Sequence, residues 1–216
     1  MRKVSEATRR RLVEIAQILS QTKEKRITSV QLESLTGWSN TSIRKDISAI
    51  EYTGGVSNGY DTENLLKAIC ESLGIASDEE DSKKRGIFHR CCIVGLGKLG
   101  AALLENSIFY DTAYSIIAGF DANVNRTEIL SASFPLYPAS KMSQIIPEQK
   151  IEYAILTVPN ESAQSMAERL VSCGIKGIVN YTSVILSLSK DVAVENVSPV
   201  TAMNNLSAKI SLADLK

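Results

Sequence analysis

Apolar residues recur along this chain with two different periods. Over residues 5–20, Leu12, Ile15, Ala16 and Leu19 share one face while Arg9, Arg10 and Glu14 fall elsewhere, the spacing of an amphipathic helix. Thr28-Ser29-Val30-Gln31 is a capping-box pattern that opens a second short helix carrying Val30, Leu32 and Leu35 and closing at Gly37. Ser39 caps a third helix, Asn40 to Ile50, with Ile43, Ile47 and Ile50 inward and Asn40, Thr41, Arg44 and Lys45 outward. Thr53 to Tyr60 is glycine-rich with strand-compatible ends and predicts a hairpin. Residues 61–75 predict a fourth amphipathic helix, with Leu65, Leu66, Ile69 and Leu73. Residues 77–86 are charged and poor in apolar side chains, which predicts a linker.

Beyond His89 the period changes. Short apolar runs at 91–94, 116–120, 151–158, 177–181 and 192–197 are separated by helical stretches such as Ser162 to Cys173, ended by Gly174. Alternating strand and helix predicts a parallel sheet with right-handed crossovers and a ligand crevice at the carboxyl ends of the strands. The fold class is therefore α/β: an N-terminal winged helix-turn-helix domain (residues 1–80), a linker (81–86) and a Rossmann-type parallel sheet (87–198). A last helix, 199–216, has too little sheet left to cover.

The strand at Cys91-Cys92-Ile93-Val94 runs into Gly95-Leu96-Gly97-Lys98-Leu99-Gly100, a helix start follows, and Asp121 comes twenty-one residues after the last glycine. Strand, G-x-G-x-x-G, helix and a later acid form the fingerprint of a dinucleotide site. Gly95 permits the tight turn, Gly97 lets backbone approach a pyrophosphate, and Gly100 lets the helix pack on the strand. The first helical turn offers unpaired N–H groups and partial positive charge to phosphates. Asp121, closing the next strand, would accept both ribose hydroxyls, which favours NAD over NADP because a 2′-phosphate beside a carboxylate is repelled. Arg126 lies near enough to blur this preference, with a solvated loop cation as the other reading. Leu96, Lys98 and Leu99 complete the loop, and Thr157, Val158, Pro159 and Asn180 lie at strand ends facing the crevice. A glycine turn without a ligand is the competing reading.

Composition narrows the class. The 216 residues are 44% hydrophobic and 22% charged, as in ordinary globular proteins. No apolar run approaches the ~20 residues that span a bilayer, and the first residues lack the apolar segment of a secretory signal, so a cytoplasmic location is expected. Cys70, Cys91, Cys92 and Cys173 show no C-x-x-C spacing. Adjacent on a strand, Cys91 and Cys92 should face opposite ways; buried reduced thiols fit this pattern, with a thiol sensor as the competing reading. The single histidine, His89, cannot anchor a His-based metal site alone. The strand ends offer no His, Lys or paired carboxylates and no further domain supplies a substrate site, which argues against catalysis.

Formal net charge is zero, yet the first 60 residues hold ten cations (at 2, 3, 9, 10, 11, 23, 25, 26, 44 and 45) against six acids (at 6, 14, 24, 33, 46 and 51). Two helices joined by a glycine-containing turn, the second polar and basic outside, describe a helix-turn-helix with a polyanionic partner. A small helical bundle for dimerisation or protein docking remains the alternative.

Order and spacing of these motifs resemble the Rex family of redox-sensing transcriptional repressors, nearly end to end. Arg44-Lys45-Asp46-Ile47-Ser48 is similar to the family's recognition-helix core and Gly59-Tyr60-Asp61 to the end of its wing. Ile93 to Gly100, Phe120-Asp121, Leu156-Thr157-Val158-Pro159 with Ala163-Gln164, and Gly174 to Asn180 are similar to its nucleotide-domain stretches. The resemblance implies a homodimer that exchanges C-terminal helices and binds NADH or NAD in the Rossmann crevice. It implies that NAD permits binding to a two-fold double-stranded DNA operator, while NADH closes the dimer and releases it. Ser39, Asn40, Thr41, Arg44, Lys45 and, in the wing, Ser57 would contact DNA.

Several positions depart from the family pattern. Gly55 and Val56 stand where the wing usually carries basic residues, which reduces charge-based DNA affinity. An Arg in the first helix, a Tyr after the nucleotide-loop helix and an Asp before the C-terminal helix are replaced by Gln17, Asn106 and Ser198, and a second acid by Asn123. Neutral groups couple more weakly than ion pairs. The leading expectation is an NAD(H)-responsive repressor. A Rex-like nucleotide-binding protein with weakened switching or DNA binding, acting through a protein partner, is the alternative.

Overall fold

The computed structural model describes residues 4–54, 58–105, 109 and 112–213. The chain divides into two compact units, Met1–Ile87 with Asp111–Ala113, and Phe88–Tyr110 with Tyr114–Lys216.

The first unit holds α1 (Glu6–Gln21), β1 (Arg26–Ile27), α2 (Ser29–Thr36), α3 (Asn40–Ala49), β2 (Tyr60–Asp61), α4 (Thr62–Leu73) and α5 (Glu79–Arg85). Side chains stop and start these helices: Ser5, Ser39 and Asp61 accept first-turn amides, and Thr28 and Gln31 form the reciprocal capping box. Gly37 and Gly74 end α2 and α4 in the left-handed region. Leu12, Ile15 and Leu19 of α1 bury against Leu32, Ile43, Ile47, Leu65 and Ile69.

Three expectations need correction here. Val30 and Leu35 are exposed, so only Leu32 anchors α2. Tyr60 pairs with Ile27 and Asp61 with Arg26, antiparallel, so the described end of the glycine-rich stretch joins a distant strand rather than closing its own hairpin; Gly55, Val56 and Ser57 lie outside the described residues. The stretch read as a linker contains a helix, α5. Asp78 caps it, Glu79, Glu80 and Asp81 fill its first turn, and Lys83, Lys84 and Arg85 its last. That order complements the helix dipole. Arg85 also donates to the Ile75 carbonyl (2.7 Å) and pairs with Asp81 (3.0 Å).

The second unit is a six-stranded parallel sheet. Its elements are β3 (His89–Val94), α6 (Lys98–Ala102), β4 (Tyr114–Asp121), α7 (Val124–Ile129), β5 (Leu136–Pro138), α8 (Met142–Glu148), β6 (Tyr153–Leu156), α9 (Asn160–Ser172), β7 (Gly177–Asn180), β8 (Ala193–Asn196) and α10 (Pro199–Ala213). The strand order β5-β4-β3-β6-β7-β8 is that of a dinucleotide-binding Rossmann sheet, with its switch point between β3 and β6. Cys92, Val94, Ala118 and Phe120 pack one face, and Cys91, Ile93 and Ile116 the other, so the two adjacent thiols do face opposite ways. The helix after the glycine loop runs over Lys98–Ala102 and leads into a 3₁₀ turn, Leu103–Glu105. His89, expected to precede the strand, is its first residue.

Candidate functional site

A cleft of about 560 Å³ opens at the carboxyl ends of β3, β4 and β6. Gly95, Gly97, Asp121, Thr157, Val158 and Pro159 line it, so six of the eleven expected nucleotide residues meet there.

Gly95 and Gly100 meet the steric demands that their spacing predicts. Gly95 turns with φ +94°, and a Cβ there would sit 2.8 Å from the Thr157 backbone. Gly100 lies so close beneath the turn that a Cβ would be 1.9 Å from the Gly95 carbonyl oxygen. A Cβ on Gly97 would meet nothing within 4 Å, so backbone is bared to open cleft. Thr157 holds the turn: its hydroxyl donates to the Gly95 carbonyl (2.6 Å) and its amide to the Val94 carbonyl (2.9 Å). The Gly95 amide donates to the Phe120 carbonyl (2.8 Å), which ties the turn to β4.

Asp121 is 4% exposed. Its Oδ2 accepts the Leu96 amide and its Oδ1 the Asn123 amide, each at 2.6 Å. The acid therefore braces the glycine loop from beneath, a role its sequence position does not reveal. Arg126, read as a solvated cation, lines the cleft and lies 3.4 Å from Asp121 Oδ2. Phe120, Ala122, Asn123, Ala139, Ser162 and Met166 also line it. Phe120 and Asn123 stood out in the sequence as neighbours of the ribose acid, and the others only by nearness to strand ends and to α9.

The other expected residues lie elsewhere. Leu96 is buried in the core, Lys98 and Leu99 are exposed on the first turn of α6, and Gly100 sits under the loop. Asn180 is fully buried and fully engaged: its Nδ2 donates to the Val184 carbonyl and Asn196 Oδ1, while its Oδ1 accepts the Thr182 amide and hydroxyl. It shapes the turn after β7 and links β7 to β8. It does not line the cleft. Asp121 and Arg126, paired with each other, are the ionisable groups among the described lining residues.

All four cysteines are free and buried. Burial pushes the Cys70 thiol up to about 11 and Cys91 up to about 12, and raises Cys92 as well. Because the thiolate is the reactive form, native protein at pH 8 should react with a disulfide reagent over hours, and within minutes once denatured. A fast-reacting native thiol would restore the thiol-sensor reading.

In the first unit, Thr41, Arg44 and Lys45 come together with Ser48 around a shallow depression on the outer face of α3. Ser39 is the cap of that helix. Asn40 Nδ2 donates to Glu33 (2.8 Å) and Arg44 Nε to Ser29 (3.0 Å), bonds that set α3 against α2 while Arg44 stays exposed. Ser57 lies outside the described residues.

Two family models match, "Putative DNA-binding protein N-terminus" over residues 3–48 and "CoA binding domain" over residues 88–184. The redox-sensing transcriptional repressor Rex of Limosilactobacillus reuteri is 32% identical over 213 residues, covering 95% of this chain and 92% of that protein. A crystal structure of RSP, a Rex-family repressor, in complex with β-NAD+ and operator DNA superposes with TM-score 0.80 at 26% identity, covering 100% of this chain and 96% of that one. RSP in complex with β-NADH gives TM-score 0.81 at 27% identity, covering 100% and 98%. The resemblance drawn from the motifs is thus met over the whole length, and the chain belongs to the Rex family of redox-sensing transcriptional repressors.

Proposed function

We propose that this chain is a homodimeric, cytoplasmic, NAD(H)-responsive repressor that binds a two-fold operator, and that it is not an enzyme. The observation that carries this reading is one chain joining the bared Gly97 backbone of a Rossmann cleft to the exposed Thr41-Arg44-Lys45 face of α3. RSP, a Rex-family repressor of the same architecture, binds β-NAD+ with operator DNA, and β-NADH. Gly95, Gly97, Thr157, Val158 and Pro159 would hold the dinucleotide, with Asp121 at the ribose. Asn180 would act only through the turn it shapes.

Support for the dimer comes from α10. Val200, Met203, Leu206 and Ile210 form one exposed apolar stripe along it, a surface of the kind that a partner covers. Ser198, which replaces an expected Asp, accepts the Thr201 amide at the start of α10; it keeps the cap and loses the charge. Gln17 is exposed on α1, and Asn106 lies outside the described residues. No helix among the described residues is long and apolar enough to cross a membrane.

Parallel calorimetric titrations with NADH and NAD+ test the switch. Run with and without operator DNA, they should show the operator changing NADH and NAD+ affinities by factors that differ about tenfold or more, since a ligand that binds both states equally shifts no equilibrium. Selection from random duplexes should enrich an inverted repeat with half-sites a whole number of helical turns apart. Arg44→Ala should cost DNA binding about 1–3 kcal/mol and leave cofactor affinity unchanged. Recovery of no motif at low salt would favour the reading in which the chain acts through a protein partner.

A further inference from the structure

Arg126 stands beside the acid that the dinucleotide reading assigns to the ribose. Its side chain is 51% exposed, against 5% for Asp121, and both line the cleft. The carboxylate is already committed, because each of its oxygens accepts a backbone amide at 2.6 Å. Those amides and the guanidinium together offset its negative charge. A 2′-phosphate at this position would therefore meet far less repulsion than an unpaired aspartate would exert. Arg126 has donors to spare: its contact with Asp121 runs through one terminal nitrogen at 3.4 Å, whereas a guanidinium carries five N–H donors in a planar fork suited to phosphate. Its half-exposed side chain can turn from Asp121 to a phosphate while Asp121 stays held by the two amides.

Resting on the dinucleotide reading, we infer that the cleft also accepts a dinucleotide phosphorylated at the adenosine 2′ position, NADP(H), with Arg126 as the residue that sets specificity. Asp121 favours the free ribose and Arg126 the phosphorylated one. Discrimination between NADH and NADPH then falls to within about tenfold.

Titration of the full-length protein with NADH, NADPH, ADP-ribose and 2′-phospho-ADP-ribose separates the outcomes. NADPH should bind within about tenfold of NADH, and Arg126→Ala should weaken both phosphorylated ligands about tenfold while changing NADH less than about threefold. Arg126→Met preserves the apolar stem and replaces the alanine variant if that one fails to fold. NADH binding with NADPH weaker by about a hundredfold or more overturns the inference and leaves the dinucleotide reading intact. Equal losses for all four ligands in Arg126→Ala would make Arg126 merely the partner of Asp121, and would also overturn it. If neither dinucleotide binds the wild-type protein, the dinucleotide reading itself falls.

Discussion

Gly100→Ala is expected to abolish dinucleotide binding and to destabilise the second unit. The added Cβ would lie 1.9 Å from the Gly95 carbonyl oxygen and 2.8 Å from Thr157 Oγ1. The first of these is backbone at the end of β3, so no side chain can swing aside. Helix α6 must retreat by on the order of 1 Å, at a cost of roughly 1–3 kcal/mol or more. The retreat would pull the loop off its braces, the Leu96 amide on Asp121 and the Thr157 hydroxyl on Gly95. Gly97→Ala is the matched control. Its Cβ meets nothing within 4 Å and its φ of −69° suits alanine, so Tm should stay near wild type while affinity for NADH falls. Thermal unfolding and calorimetry on both variants distinguish the two roles. Normal NADH binding by Gly97→Ala would mean that the phosphates do not approach that backbone.

The glycine loop was legible because its requirements are local. Tight turn and close helix approach demand glycine at fixed offsets, and Gly95 and Gly100 behave accordingly, whereas nothing in the fold itself demands glycine at Gly97. Helix caps at Thr28 and Ser39 were legible for the same reason. What escaped depends on distant partners. Two-residue strands have no periodicity to read, so nothing in Arg26-Ile27 announces Tyr60-Asp61. Val30 and Leu35 sit at apolar positions of a helix too short to cover more than Leu32. Helix α5 has a linker's composition; only the order of its charges, acids first and bases last, distinguishes it.

The site residues sort in the same way. Asp121 was found by its offset from the glycines, but its partners Leu96, Asn123 and Arg126 follow from the curl of the chain after β4. Asn180 stands at the right strand end for a ligand contact, and its four side-chain hydrogen bonds turn it inward instead. A strand-end position gives nearness to a crevice; it does not give the direction of a side chain.

Arg11→Ala should cost the first unit roughly 3 kcal/mol and reduce operator binding. Asp46, on α3, has a side chain only 5% exposed, and Arg11, on α1, is 28% exposed. Arg11 donates Nε to Oδ2 at 2.5 Å and Nη2 to Oδ1 at 2.8 Å, and Thr8 adds its hydroxyl to Oδ1 at 2.9 Å. The carboxylate in turn holds Arg11 above its ordinary pKa, chiefly through that hydrogen bond, so Arg11 stays charged across the physiological range. Removing Arg11 leaves a buried carboxylate with one hydroxyl partner, and loss of one member of a buried pair costs ~3–5 kcal/mol. The partial exposure of Arg11 places the cost at the lower end. Arg44 and Lys45 immediately precede Asp46, so the same network fixes their aim, and operator affinity should fall with stability. Replacing both partners by apolar residues, Arg11→Met with Asp46→Leu, removes the unpaired charge and should restore most of both, because well-packed apolar substitutes for a buried pair are often neutral. Urea unfolding and operator titration on the three proteins decide it. A loss below about 1 kcal/mol in Arg11→Ala would mark the pair as solvent-screened, and operator binding that stays low in the restored double variant would give Arg11 or Asp46 a direct part in the DNA contact.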